Sequence, residues 1–398
     1  MRLVLRAAEV TGATRLIDIT GAHVDSCLYH GEASLDFVER LVDGGATVSV
    51  PTTLNVGAVD LIHPERYRGD ARTAQRGRLL MDRYRSLGAR PTFTCAPYQL
   101  ADARPSLGEQ VAWGESNAIA FCNSVLGART NRYGDFIDVA AAITGRVPDA
   151  GLHRTQERRA TLVLRLASDV PPPLRDADVL FPVLGIVLGR RAGSAVAVID
   201  GLPPAQSEDR LKALGAAAAS SGSVAMFHVV GSTPEAATLE DALQHASPDA
   251  VELITLEDLR AVRDELTTAA GERLGAVSLG TPHASLAELD RYAAMLGDRV
   301  VHPGVECLVS TGRDILAQAT ERGLAGRLRN AGVELLVDTC SYIAPILRPT
   351  DGAVMTDSAK WAYYAPGNIG ARVVFGSTAE CIGSAMAGRI IRDDAPWA

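Results

Sequence analysis

The chain has 398 residues, of which 47% are hydrophobic and 22% charged, and its formal net charge is −8. This composition is globular rather than disordered and sufficient for two or three domains, while the negative balance excludes a general nucleic-acid binder, which needs clustered Lys and Arg. No run of about 18 apolar residues is free of charges or breakers, so no membrane span is expected, and six cysteines in so long a chain do not make a disulfide scaffold.

Met1 to Glu9 meets charge too soon for a secretory signal, which points to the cytoplasm and to cysteines that are reduced or ligate metal. From Ala33 onward, Leu35, Val38, Leu41 and Val42 recur at helical spacing. Gly44-Gly45 stops that helix, and Thr47 to Val50 reads as a short strand. The same helix, glycine and strand order recurs around Gly88, with a strand expected at Thr92 to Thr94. Further strands are expected at Ala195–Ile199, Val224–Val230, Ala276–Leu279 and Leu335–Val337, with helices between them. Such alternation implies an α/β fold with largely parallel sheets. Leu214 to Gly222, rich in alanine, reads as a helix end packed closely through small side chains. Pro171-Pro172-Pro173 suits a connector, because proline removes donors and fixes φ. The expected division is 1–170, a central α/β unit at 175–330, and a C-terminal segment at 331–398.

Three cysteines stand in polar settings at expected strand ends: Cys95 before Ala96-Pro97, Cys122 before Asn123-Ser124, and Cys340 after Asp338-Thr339. Thiolates are soft ligands for iron–sulfur clusters, zinc or copper. Three ligands are one short of closing a four-coordinate site, and an open position lets a metal polarise substrate oxygen. The alternative for each is a buried structural thiol. Cys307 and Cys381 sit among aliphatic and small residues and are assigned to packing, while Cys27, between Asp25 and His30, is intermediate and could be an extra ligand.

The segment after Cys122 is dense in donors. Arg129 and Arg132 each offer a bidentate fork to a carboxylate or phosphate. Asn123, Ser124, Thr130 and Asn131 suit substrate hydroxyls or amides, as do Thr53 and Asn55 in Pro51 to Asn55. Lys360, beside two hydroxyls, suits an anion or is an exposed helix lysine. His30, near Cys27 and Glu32, is the acid–base candidate, and His228 and His283 read as core or loop histidines, with a place facing a cleft as the alternative because both follow strands. No nucleophile elbow, phosphate-binding loop or dinucleotide fingerprint is convincing, which argues against hydrolase, kinase and dehydrogenase readings.

The strings Asp25 to Glu32, Val50 to Asn55, Cys95 to Tyr98, Cys122 to Arg132, Gly280 to His283 and Met355 to Lys360 run in order over almost the whole chain and resemble aconitase X, specifically its large catalytic subunit. The resemblance implies an aconitase-like multi-domain architecture and a hydro-lyase with an iron–sulfur cluster, whose non-cysteine-ligated iron binds a substrate hydroxyl and carboxylate. By resemblance, Cys95, Cys122 and Cys340 are the cluster ligands; two-, three- and four-iron forms stay open. The family pairs this part with a small swivel domain carrying a serine base, and a fused member would be longer, so a separate swivel subunit is the expected partner. Among the family's activities, Asn131 to Phe136 resembles the cis-3-hydroxy-L-proline dehydratases, with mevalonate 5-phosphate dehydration as the alternative. The implied chemistry is dehydration of a small hydroxy-carboxylate, held by Arg129, Arg132 or Lys360, with His30 protonating the departing hydroxide. A cluster-free scaffold homologue is the reading from another class, and a zinc hydrolase is the weakest.

Overall fold

The computed structural model describes residues 1–271 and 273–398. Its strands gather into three parallel sheets. The first has the order Thr52–Leu54, Ala22–Val24, Ala112–Trp113, and the second Phe227–Val229, Ala197–Asp200, Leu162–Leu166, Ala250–Ile254. The third has five strands, in the order Val333–Leu336, Glu306–Thr311, Leu274–Ala284, Ala353–Thr356, Val373–Phe375. A separate antiparallel pair joins Leu16–Asp18 to Arg146–Pro148. The α/β reading holds for the reason given by the sequence: parallel strands need crossover helices, and these bury both faces of the sheet. The central strand Leu274–Ala284 is accordingly buried along nearly its whole length.

Helices begin immediately after strands because the turns carry their own caps. Ser285 opens Leu286–Leu296, Thr255 opens Leu256–Glu265 and Ser377 opens Thr378–Ala387, each with a reciprocal capping box to the acidic residue three positions on. The alanine-rich stretch ends the helix Glu208–Ser221 and is close-packed as expected; its partner is the helix Leu180–Ala192. A Cβ on Gly185 would stand 2.3 Å from the Leu214 carbonyl oxygen, so only glycine permits this approach of backbones.

Two expected strands shift. Thr47 to Val50 is irregular, and the strand starts at Thr52, past Pro51, which has no N–H for a ladder. Thr92 to Thr94 runs beside Leu54, with the Thr94 N–H and the Thr92 hydroxyl both donating to the Leu54 carbonyl, but Phe93 has φ 41° and breaks the pleat. The three prolines open a one-turn helix, Pro172–Arg175, where missing N–H groups cost nothing. Among the described residues, no helix is long and apolar enough to cross a membrane.

Candidate active site

Parallel α/β sheets leave room for ligands beyond the carboxyl ends of their strands, and two of the three sheets meet at such a place. From the first sheet, Asn55 follows Thr52–Leu54, Asp25 follows Ala22–Val24, and Glu115 lies just past Ala112–Trp113. From the five-stranded sheet, His283 lies at the end of Leu274–Ala284, Cys340 follows Val333–Leu336, and Lys360 follows Ala353–Thr356. Asn55, Asp25, Glu115, Lys360 and Cys95 line one cleft of about 540 Å³, with His30, Tyr342 and Tyr364.

Cys95 and Cys340 converge here. With His283 they form a buried set whose ligand atoms all lie within 4.8 Å of one another. The His283 N–H donates to the Cys95 sulfur at 3.3 Å. Both ring nitrogens of His283 already have partners, the Thr94 hydroxyl at 2.9 Å and the Thr339 carbonyl at 3.4 Å, so the imidazole holds the loops and the sulfurs are the free donors. Burial opposes ionisation of Cys95, but a hydrogen bond from Cys340, helped by Lys360 and the His283 N–H, sets its pKa below the ordinary thiol value. That same hydrogen bond, with burial, holds Cys340 well above it. Two adjacent sulfurs with one already inclined to thiolate are a donor set fit for a soft metal or an iron–sulfur cluster.

Opposite charge is supplied by one pair. Lys360 Nζ donates to Glu115 Oε1 at 2.6 Å, and both side chains are about 95% buried. Each is fixed by its element: Glu115 caps the helix Ser116–Ser124 through the Ala118 N–H, and Lys360 sits in the first turn of Ala359–Ile369, behind the Ser358 cap. Burial disfavours both charges, yet each holds the other ionised, so Glu115 titrates below the ordinary carboxylate value and Lys360 well above the ordinary lysine value. Among the described residues, Lys360 is the one Lys or Arg lining the cleft.

Several expected site residues stand elsewhere. Cys122 is not brought to Cys95 and Cys340: it lies fully buried in an apolar cluster with Tyr98, Trp113, Ile119 and Leu126, and burial pushes its thiol pKa far up. The helix Ser116–Ser124 is buried on all sides, so its cysteine has no polar face to occupy. The donors that follow it are consumed in bracing the first sheet to the second. Asn123 Nδ2 donates to the carbonyls of Thr130 and Ala225, Ser124 Oγ accepts from the Phe227 N–H, and Thr130 Oγ1 accepts from the Trp113 N–H. Arg129 donates to the His153 carbonyl and Thr155 hydroxyl, and Arg132 to the carbonyls of Ala219 and Gly222 at a helix end. Thr53 shares a hydrogen bond with buried His23 and lies outside the cleft. His30, Asn55 and Lys360 do line it.

Sequence reasoning passed over Asp25 and Glu115, and read His283 as a core or loop histidine, which fits a ring that ties two loops together. Asp25 and His283 lay inside quoted motifs, and the available signal was their position one residue past, or at the end of, a parallel strand.

Comparisons with known proteins agree with this architecture. Family models match in succession: aconitase X first domain over residues 1–156, second domain over 160–264 and third domain over 274–387. The chain is 42% identical over 392 residues to the cis-3-hydroxy-L-proline dehydratase of Pseudomonas aeruginosa, covering 98% of this chain and 67% of that protein. It is 44% identical over 400 residues to the cis-3-hydroxy-L-proline dehydratase of Hypocrea jecorina, covering 98% and 65%. The chain thus spans about two thirds of the length of these two relatives. It is 37% identical over 382 residues to the phosphomevalonate dehydratase large subunit of Methanothermobacter thermautotrophicus, covering 94% and 91%. The crystal structure of Thermococcus kodakaraensis aconitase X in its holo form superposes with a TM-score of 0.85 at 31% identity, covering 96% of this chain and 94% of that one.

Proposed function

The chain belongs to the aconitase X family, and on that premise we propose that it carries the catalytic centre of a hydro-lyase that dehydrates cis-3-hydroxy-L-proline. The observation that carries this reading is the cleft lined by Cys95, whose sulfur is hydrogen-bonded to Cys340, together with a single lysine already paired to Glu115. That charge suits one substrate carboxylate. A phosphorylated hydroxy acid adds a second, doubly charged group, and among the described residues no further Lys or Arg lines the cleft to receive it. The 91% span over a phosphomevalonate dehydratase large subunit favours the second reading, a large subunit acting on mevalonate 5-phosphate.

In this reading Cys95 and Cys340 would hold an iron–sulfur cluster, which when bound supplies a Lewis-acidic iron to the departing hydroxyl. Lys360 orients the substrate carboxylate before reaction, and Glu115 keeps the ammonium charged and in place. His30, exposed at the cleft's edge, delivers a proton to the leaving oxygen. The proton beside the carboxylate leaves to a base outside these residues, a serine on a small swivel partner. The large-subunit relative supports such a partner for this chain, and the cytoplasm is the compartment that suits reduced thiols.

The test is an assay of the anaerobically reconstituted protein with its partner on both substrates. Dehydration of cis-3-hydroxy-L-proline with no turnover of mevalonate 5-phosphate is expected. Turnover of the phosphate alone would overturn the assignment.

A further inference from the structure

The cleft contains a second carboxyl group besides Glu115, that of Asp25. Asp25 and Asn55 are direct neighbours, because Val24 pairs with Leu54 in parallel register, each is the last residue of its strand, and Asp25 and Asn55 follow them. Asn55 Nδ2 donates to Asp25 Oδ1. Asp25 Oδ2 accepts no hydrogen bond, and no Lys or Arg pairs with this carboxylate among the described residues. The contrast with its surroundings is sharp. Asp138, just behind, is fully buried but accepts from the N–H groups of Asp25, Ser26 and Val139 and from the Ser26 hydroxyl. Glu115 has Lys360. Asp25 has one amide, and burial together with the nearby carboxylates of Glu115, Asp135 and Asp138 disfavours its charge.

A cleft carboxyl held in shape but left without a cation stays protonated when alone and ionises when a cation is placed beside it. The cleft then offers one ion pair, Lys360 with Glu115, and one carboxyl group without a cation, Asp25, whose ionised form a bound ammonium would stabilise; together they complement a zwitterion. We propose that Asp25 receives the protonated ring nitrogen of an amino-acid substrate, with Asn55 fixing the carboxylate that accepts its N–H. The inference rests on the reading that this cleft dehydrates a small hydroxy acid, and it goes further by restricting that class to acids bearing a charged amine beside the carboxylate. Asp25 is a specificity-determining residue: it makes a nitrogen-free hydroxy acid a poor ligand, because such a ligand leaves the carboxylate unpaired in a partly dry cleft.

The experiment compares cis-3-hydroxy-L-proline with its carbocyclic counterpart, cis-2-hydroxycyclopentane-1-carboxylate, on the holoenzyme with its partner. The parent is expected to favour the nitrogen compound by about a hundredfold in kcat/KM. Asp25→Asn, which removes the charge and keeps the shape, loses that preference through KM, and the ratio falls towards one. A ratio read on one preparation is insensitive to any unfolded fraction. An unchanged ratio, or an equal loss on both compounds, would overturn the proposal. Should the parent dehydrate neither compound, the functional reading fails on its own, and calorimetry with L-proline and cyclopentanecarboxylate still decides the role of Asp25. L-proline bound about a hundredfold more weakly by Asp25→Asn, with cyclopentanecarboxylate unaffected, upholds it; equal binding of L-proline by both proteins overturns it.

Discussion

The backbone N–H of His283 donates to the sulfur of Cys95 at 3.3 Å, joining the end of the central strand in the five-stranded sheet to a loop packed on the first sheet. The same residue ties its ring to Thr94 on that loop and to Thr339 beside Cys340. One histidine therefore sets the spacing of the two sulfurs without spending a ring nitrogen on metal. Folding and site assembly are coupled here: the sulfurs converge only when the two sheets are docked.

Removing Lys360 separates the energetic from the chemical role of its pair. In Lys360→Met the Glu115 carboxylate stays buried with Asn117 and the Ala118 N–H as partners but no cation. The expected loss is about 3 to 5 kcal/mol of stability, and turnover should fall by roughly a hundredfold or more as the carboxylate anchor goes. Lys360→Met with Glu115→Gln should recover most of the stability and none of the turnover. Urea melts and initial rates on the four proteins of the cycle check this.

Acid should destabilise the fold through its buried histidines. His23 and His153 are lowered to about 4, chiefly by burial. Below about pH 6.5 the unfolded chain takes up protons on both and the folded chain does not until about pH 4, so their stability contribution is full above 6.5 and is lost as pH falls towards 4. Each contributes at most about 3 kcal/mol to that slope. Asp138, raised to about 6 by burial, has the opposite sign and loses its contribution as pH rises. Denaturant melts from pH 7 to pH 4.5 should therefore show a smaller loss for His23→Gln than for the parent; equal losses would exclude His23 as a source.

The contact between Leu180–Ala192 and Glu208–Ser221 should tolerate no side chain at its closest point. Gly185→Ala sets a Cβ against the Leu214 carbonyl oxygen and the Ala217 methyl, and the backbone is the obstacle rather than a movable side-chain tip. A loss of about 2 kcal/mol or more is expected. Gly326→Ala, in the helix Leu324–Asn330, meets nothing within 4 Å and should be neutral or slightly stabilising. Thermal melts of the two variants provide the comparison.

Much of this was legible in one sequence. Hydrophobic periodicity with glycine and proline punctuation gave the α/β class and the helix at Leu214 to Gly222, because these depend on local pattern. Strand ends were less legible: Pro51 moved one strand onset and the positive φ of Phe93 dissolved another, and both effects turn on a single residue's backbone. At the site, Cys95, Cys340 and Lys360 could be singled out by type and setting. Cys122 and the donors from Asn123 to Arg132 show the limit of that reasoning. A polar loop that braces two sheets has the same composition as one that binds an anion, and only tertiary placement separates them. Glu115 was silent for a related reason, since an acidic residue at a helix N-terminus is an ordinary helix signal until its other oxygen is seen to hold Lys360.

The most direct measurement is iron and sulfide content after anaerobic reconstitution, with dehydration of cis-3-hydroxy-L-proline followed on the same samples, for the parent, Cys95→Ser, Cys340→Ser and Cys122→Ser. The account predicts metal and turnover in the parent and in Cys122→Ser, the latter destabilised by about 1 to 2 kcal/mol for burying a hydroxyl among apolar side chains, and loss of both in Cys95→Ser and Cys340→Ser. A parent that stays iron-free, or a Cys122→Ser protein that loses its iron while Cys340→Ser keeps it, would contradict the account.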